Sequence, residues 1–263
     1  MPQAHINDIT VEYHFDGDDC APVIFLSNSL ASNYSMWDAQ VPALTGAGFR
    51  VLRYDSRGHG ATSVPLAPYT LQLLVADAVA LLDHLGLGEV CMMGCSKGGM
   101  IGQMLATQHP ERLRALVLAS TAAFAGGADV WNARIATVRD GGMDAVLQAT
   151  IERWVTAPGR ERLPNEVALI EAMIMSTPAQ GFCGCCAAIR DMDQREDIKA
   201  ITTPTHVIVG EHDSGTPVSA AQLIHDNIQG SGLTIIPDSA HFVQMEQADA
   251  FNNAMLGFLK DFV

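Results

Sequence analysis

Hydrophobic and polar positions change period repeatedly along this chain. β-like runs at His5–Phe15 (HINDITVEYHF) and at Pro22–Asn28 (PVIFLSN) are followed by turn-rich sequence. A third run, Arg50–Gly60 (RVLRYDSRGHG), ends in glycine-rich punctuation. In Leu71–Gly86 the apolar residues recur at helical spacing until Gly86 ends them, and EVCMMG follows as a short buried strand. A second helix through MIGQMLATQHPERL leads into ALVLAST, another near-continuous apolar run of the kind that a sheet covered on both faces requires.

From Phe124 to Ile198 this alternation stops. Helical patterns rich in Met, Ala and Trp appear with no convincing strand between them, which predicts an inserted helical cap. The sheet resumes with THVIVG and LTIIPD, separated by a helix over 217–229, and the chain closes on AFNNAMLGFLKDF. The expectation is an α/β fold: a mainly parallel, doubly wound sheet with an antiparallel N-terminal strand. Its core spans 1–123 and 199–263, and a cap spans 124–198.

Three further features narrow the chemistry. Asp and Glu outnumber Lys and Arg by 29 to 15, which disfavours a nucleic-acid partner or an anionic membrane surface. The N-terminus lacks the basic start and apolar run of a signal peptide, and no apolar stretch is long enough to span a membrane, so a soluble cytoplasmic protein is expected. In that setting Cys20, Cys91, Cys95, Cys183, Cys185 and Cys186 read as free thiols. The Cys183–Cys186 spacing does not match the paired ligand sets of structural zinc, and no metal or cofactor is called for.

Gly94-Cys95-Ser96-Lys97-Gly98 sits directly after one predicted strand and directly before a predicted helix. That is the context in which a G-x-S-x-G turn projects a nucleophilic serine from the end of a strand. A neutral serine needs a base, and the base needs a carboxylate to orient it. The loop after THVIVG supplies Asp213, with Glu211 as the alternative carboxylate. The loop after LTIIPD supplies His241, with His212 as its nearest rival. The order Ser, Asp, His places each residue beyond the carboxyl end of a strand, where sites of open α/β sheets assemble. Backbone N–H groups of Lys97 and of Leu30, in the loop after VIFL, are the candidate donors to a developing oxyanion.

Laid in order, these segments resemble the 3-oxoadipate enol-lactonases of the α/β-hydrolase superfamily. The matching stretches are LSNSL, MWDAQVPAL, RVLRYDSRGHGATS with PYT, the serine turn, a cap opening near Trp131, and the acid and histidine loops. The resemblance implies an α/β-hydrolase fold and attack of Ser96 on an unsaturated five-membered lactone bearing a carboxymethyl arm. The ring oxygen would leave as an enolate, and His241 would serve as base.

An anionic substrate in an acidic protein asks for a cation in the cap, and Arg134 and Arg190 are the candidates, with Trp131 and Trp154 as further pocket residues. Three positions depart from the family pattern. Ala31 stands where a glycine is expected. Lys97 replaces an apolar residue, and its side chain is expected to extend over the surface, the alternative being a cation near the substrate. The cap cysteines are read as small hydrophobes. Other serine hydrolases, namely carboxylesterases, carbon–carbon bond hydrolases and cofactor-free perhydrolases, share the same three residues. A small-molecule receptor on this fold is the reading from outside catalysis.

Overall fold

The computed structural model describes residues 2–263. Strands β1 (Gln3–Ile6) and β2 (Ile9–Asp16) form an antiparallel hairpin. The single N-terminal run read from the sequence is thus two strands, because Asn7 and Asp8 take φ of 43° and 59°. Two consecutive left-handed residues make the tight turn whose twist matches a hairpin, and Asn and Asp tolerate that conformation best after glycine.

β2 also pairs antiparallel with β4 (Arg50–Tyr54). From there the sheet is parallel, through β3 (Val23–Ser27), β5 (Val90–Cys95), β6 (Leu113–Ala119), β7 (Thr205–Gly210) and β8 (Gly232–Ile236). The eight-stranded order is β1-β2-β4-β3-β5-β6-β7-β8. Every residue of β5 is buried, as are six of the seven in β6, all but Arg114, so these central strands read as near-continuous apolar runs.

Helices α1 (Val41–Gly46), α2 (Leu71–His84) and α3 (Lys97–Gln108) connect the first parallel strands. The start of α2 is fixed by Thr70, whose hydroxyl accepts the Leu73 N–H at 3.1 Å. Between β6 and β7 the described chain holds no strand. It forms α4 (Ala128–Gly141), α5 (Asp144–Trp154), α6 (Ala157–Arg162), α7 (Pro164–Ser176) and α8 (Ala179–Arg190). Then α9 (Val218–Asn227) joins β7 to β8, and α10 (Val243–Glu246) and α11 (Ala248–Leu259) close the chain. No single helix among the described residues is long and apolar enough to cross a membrane.

One position contradicts the sequence reading outright. The Lys97 side chain does not extend over the surface but is 0% exposed. Every residue of α3 from Lys97 to Ala106 is buried, so this helix offers its first side chain no solvent-facing side. Cys183, Cys185 and Cys186 are buried in α8 and unpaired.

Candidate active site

The turn between β5 and α3 sets the site. Ser96 adopts φ 53° and ψ −114°, a left-handed conformation that side chains rarely take. Strain of this kind costs about 1–3 kcal/mol. Burial of one or two apolar side chains, at about 1.5–3 kcal/mol each, offsets it, and Met92 and Met93 of β5 are both 0% exposed. Glycine is obligatory on both sides of the serine. A Cβ on Gly94 would lie 2.3 Å from the Gly98 carbonyl oxygen, and one on Gly98 would lie 2.1 Å from the Ser27 carbonyl oxygen. The serine backbone is tied down by Ser96 N–H to the Ala119 carbonyl at 2.9 Å and by the Thr121 hydroxyl to the Ser96 carbonyl at 2.7 Å.

Asp213 lies in the loop after β7 and His241 in the loop after β8. The His241 Nδ1–H donates to Asp213 Oδ2 at 2.8 Å. Three more donors converge on the same carboxylate: Gly215 N–H at 2.8 Å and Thr216 N–H at 2.9 Å on Oδ1, and the Thr216 hydroxyl at 2.8 Å on Oδ2. Burial alone would raise the Asp213 carboxyl, but the facing His241 and these hydrogen bonds hold it below the usual carboxylate value. An ionised carboxylate only accepts, so it selects the tautomer with the proton on Nδ1, the one in which Nε2 is the acceptor. The rivals are elsewhere: Glu211 and His212 have side chains 52% and 55% exposed and face each other.

Ser96 and His241 line one cavity of about 200 Å³ together with Leu30, Trp131, Arg134, Arg153 and Trp154. Trp154 stacks on Phe242 at 3.8 Å between ring centroids, and the Arg134 guanidinium lies 4.7 Å from the Trp131 ring centroid. Burial pushes Arg134 below the ordinary arginine value, and the neighbouring charge of Arg153 adds to this. Neither guanidinium has an ion-pair partner among the described residues.

Arg153 is the residue sequence reasoning missed, although it immediately precedes Trp154. Arg190, expected here, lies outside. Its guanidinium forks onto Asp191 at 2.7 Å, bonds Asn132 at 3.1 Å, and borders a different cavity with Arg139 and Asp140. The nearby Asp191 captures it at the end of α8.

Leu30 lies in the loop after β3 and is buried against the cavity. Its neighbour Ala31 has φ 59°, which accounts for the glycine expected at this position: an alanine there carries about 1–2 kcal/mol of strain. The Ala31 N–H donates to His59 Nε2 at 3.0 Å, so it is not free for a ligand. Lys97 supplies the first amide of α3, which has no carbonyl four residues back within the helix. His59 itself was read from the sequence only as part of a turn.

Comparison with known proteins gives a consistent picture. The family model for the alpha/beta hydrolase fold matches residues 22–248. The chain is 36% identical over 268 residues, with all of each chain covered, to 3-oxoadipate enol-lactonase 2 of Acinetobacter baylyi. Among solved structures it resembles the enol-lactonase from Burkholderia xenovorans LB400, at 37% identity and a TM-score of 0.96, covering 98% of this chain and 99% of that one. It equally resembles a hydrolase from Pseudomonas aeruginosa PA01, at 41% identity and a TM-score of 0.95, covering 98% and 97%.

Proposed function

Because the chain belongs to the α/β-hydrolase family, among the 3-oxoadipate enol-lactonases, and is a carboxylic-ester hydrolase, we propose that it opens a small anionic lactone through an acyl-enzyme on Ser96. The substrate proposed is 3-oxoadipate enol-lactone, opened to 3-oxoadipate in the cytoplasm during breakdown of aromatic compounds. Residues 124–198 serve as a cap over a core of 1–123 and 199–263.

The observation that carries this reading is the pair Arg134 and Arg153, two guanidinia without carboxylate partners in the cavity that also holds Ser96 and His241. Leaving two cations partly buried and unpaired is costly unless an anion arrives to meet them. A cavity of about 200 Å³ suits a small acid better than a long acyl chain.

In the proposed mechanism, His241 Nε2 takes the Ser96 hydroxyl proton as Oγ bonds the lactone carbonyl carbon. The carbonyl oxygen becomes an oxyanion that accepts from the Leu30 and Lys97 amides. Collapse of this adduct breaks the bond to the ring oxygen, which leaves as an enolate, is protonated from His241, and tautomerises to the ketone. Water, deprotonated by His241, then attacks the ester carbon, and Ser96 leaves with the proton restored. Asp213 holds the imidazole in the required tautomer throughout.

The test is steady-state hydrolysis of 3-oxoadipate enol-lactone beside a neutral aryl ester, for wild type and Ser96→Ala. Efficient serine-dependent turnover of the lactone is expected. Turnover of the aryl ester alone would discard the lactone and keep the serine.

A further inference from the structure

The functional reading uses Lys97 only through its backbone, yet its side chain is 0% exposed. Burying an ammonium costs several kcal/mol unless a partner repays it, and no carboxylate lies within ion-pair distance among the described residues. The partner is instead a hydroxyl: Lys97 Nζ donates to Ser56 Oγ, on a residue 3% exposed. The other titratable groups around it are Asp55 and His59, in the turn after β4, and Cys185 on α8.

Ser56 is the first link in a chain of contacts. Its carbonyl accepts the His59 N–H at 2.9 Å. The His59 ring directs Nδ1 at the Arg57 carbonyl at 3.3 Å and receives the Ala31 N–H on Nε2 at 3.0 Å. Burial, and then the charge of Lys97, hold His59 well below the usual histidine range, so the ring stays neutral and Nε2 remains an acceptor. Ala31 keeps its strained φ of 59° against this brace, and Leu30 is the residue before it.

We infer that Lys97 sets both donors of the oxyanion hole: its own amide is one, and through Ser56 and His59 its side chain fixes the loop that presents the other. The inference rests on the serine-hydrolase reading above. Lys97 is a positioning residue on this account, since its ammonium touches no reacting atom. The spacing of two donors is the quantity such a brace protects, because an oxyanion is stabilised only when both N–H groups converge on it. A displacement of about 1 Å is enough to cost about 100-fold in rate.

The experiment compares full-length wild type, Lys97→Met, Ser56→Ala and Ser96→Ala on the best hydrolysed ester or lactone. It adds the affinity of each for phenylboronic acid, which forms a tetrahedral anion on a reactive serine. Lys97→Met should lose about 10- to 100-fold in kcat with KM within about twofold. Its boronate affinity should fall by the same factor, with a thermal midpoint no lower than wild type. Ser56→Ala should show a smaller loss of the same kind, and it carries the test alone should Lys97→Met not fold. Values of kcat and boronate affinity within about twofold of wild type in both variants would overturn the inference. Absence of serine-dependent turnover in wild type would overturn the functional reading itself, and this inference with it.

Discussion

The backbone N–H of Phe242 donates to the carbonyl oxygen of Trp154 at 2.9 Å, joining the residue after His241 to the last residue of α5. On the other side of the histidine, Ala240 N–H donates to Glu246 Oε2 at 2.8 Å. The second oxygen of that carboxylate accepts the Thr156 N–H at 3.0 Å and the Thr156 hydroxyl. The histidine loop is therefore pinned on both flanks to the helices between β6 and β7.

Glu246→Gln should loosen this attachment. An amide replaces one acceptor oxygen with a donor that faces an N–H, leaving a buried group unsatisfied at a cost of about 1–3 kcal/mol. Denaturant unfolding should show that loss. An unchanged midpoint would mean the carboxylate does not hold the loop.

Ser96→Ala and His241→Ala should each lower kcat by about 10⁴-fold or more while the far-ultraviolet spectrum and thermal midpoint stay close to wild type. Retained turnover in the serine variant would remove Ser96 from the mechanism.

Asp213→Asn should lower kcat by about 10⁴-fold, because the amide no longer enforces the tautomer with a free Nε2. It should also change the acid side of the stability profile. The folded carboxyl is held below its ordinary value, so it contributes stability above the unfolded pKa of about 3.9, and this is lost as pH falls through the folded value. Wild type should lose stability more steeply than Asp213→Asn below about pH 4. Parallel profiles would count against the shift.

Replacing Arg134 and Arg153 together by Met should weaken anionic substrates selectively. The expected result is a rise in KM of about 10-fold or more for a carboxylate-bearing lactone, with a neutral ester changed by less than about threefold. Equal losses on both substrates would point to damaged packing instead of lost charge recognition.

Lys97 predicts a second pH effect, at the alkaline end of the range. Burial lowers its pKa, and the neighbouring Cys185 and Asp55 oppose this only in part; the neutral His59 ring is the remaining titratable neighbour. Between the folded value and about 10.4 the unfolded chain binds the proton more, so this contribution to stability rises with pH. Lys97→Met should therefore be more stable than wild type at pH 7, by a margin that narrows toward pH 10. Chemical denaturation at both pH values measures it, and a constant margin would refute the assignment.

Much of this architecture is legible in the residues. A strand, G-C-S-K-G and a helix can hardly be arranged otherwise once Gly94 and Gly98 are seen to allow close backbone passage. The loops carrying Asp213 and His241 follow from the apolar runs before them. Positions that depend on which face of a buried helix meets which neighbour are hidden. In α8 the run Gly181–Ile189 is buried throughout, so periodicity assigns no direction to Arg190, and Asp191 beside it decides where the guanidinium goes. Lys97 escapes for the same reason in α3. Arg153 and Trp154 are adjacent in sequence and on different sides of a helix, yet both reach the cavity because it wraps the C-terminal end of α5. The hairpin turn at Asn7-Asp8 was written in two residue types that favour positive φ, but the alternation on either side masked it.

The placement of β7 and β8 at one margin of the sheet has a consequence for biosynthesis. Ser96 leaves the ribosome with the central strands, while Asp213 and His241 arrive only after the five intervening helices have been made. A nascent chain ending before residue 205 contains β3, β5 and β6, the strands around the serine turn, but neither Asp213 nor His241. On the proposed mechanism, chemical competence comes only as the last strands dock, and a ribosome-bound intermediate would hold Ser96 with nothing to activate it.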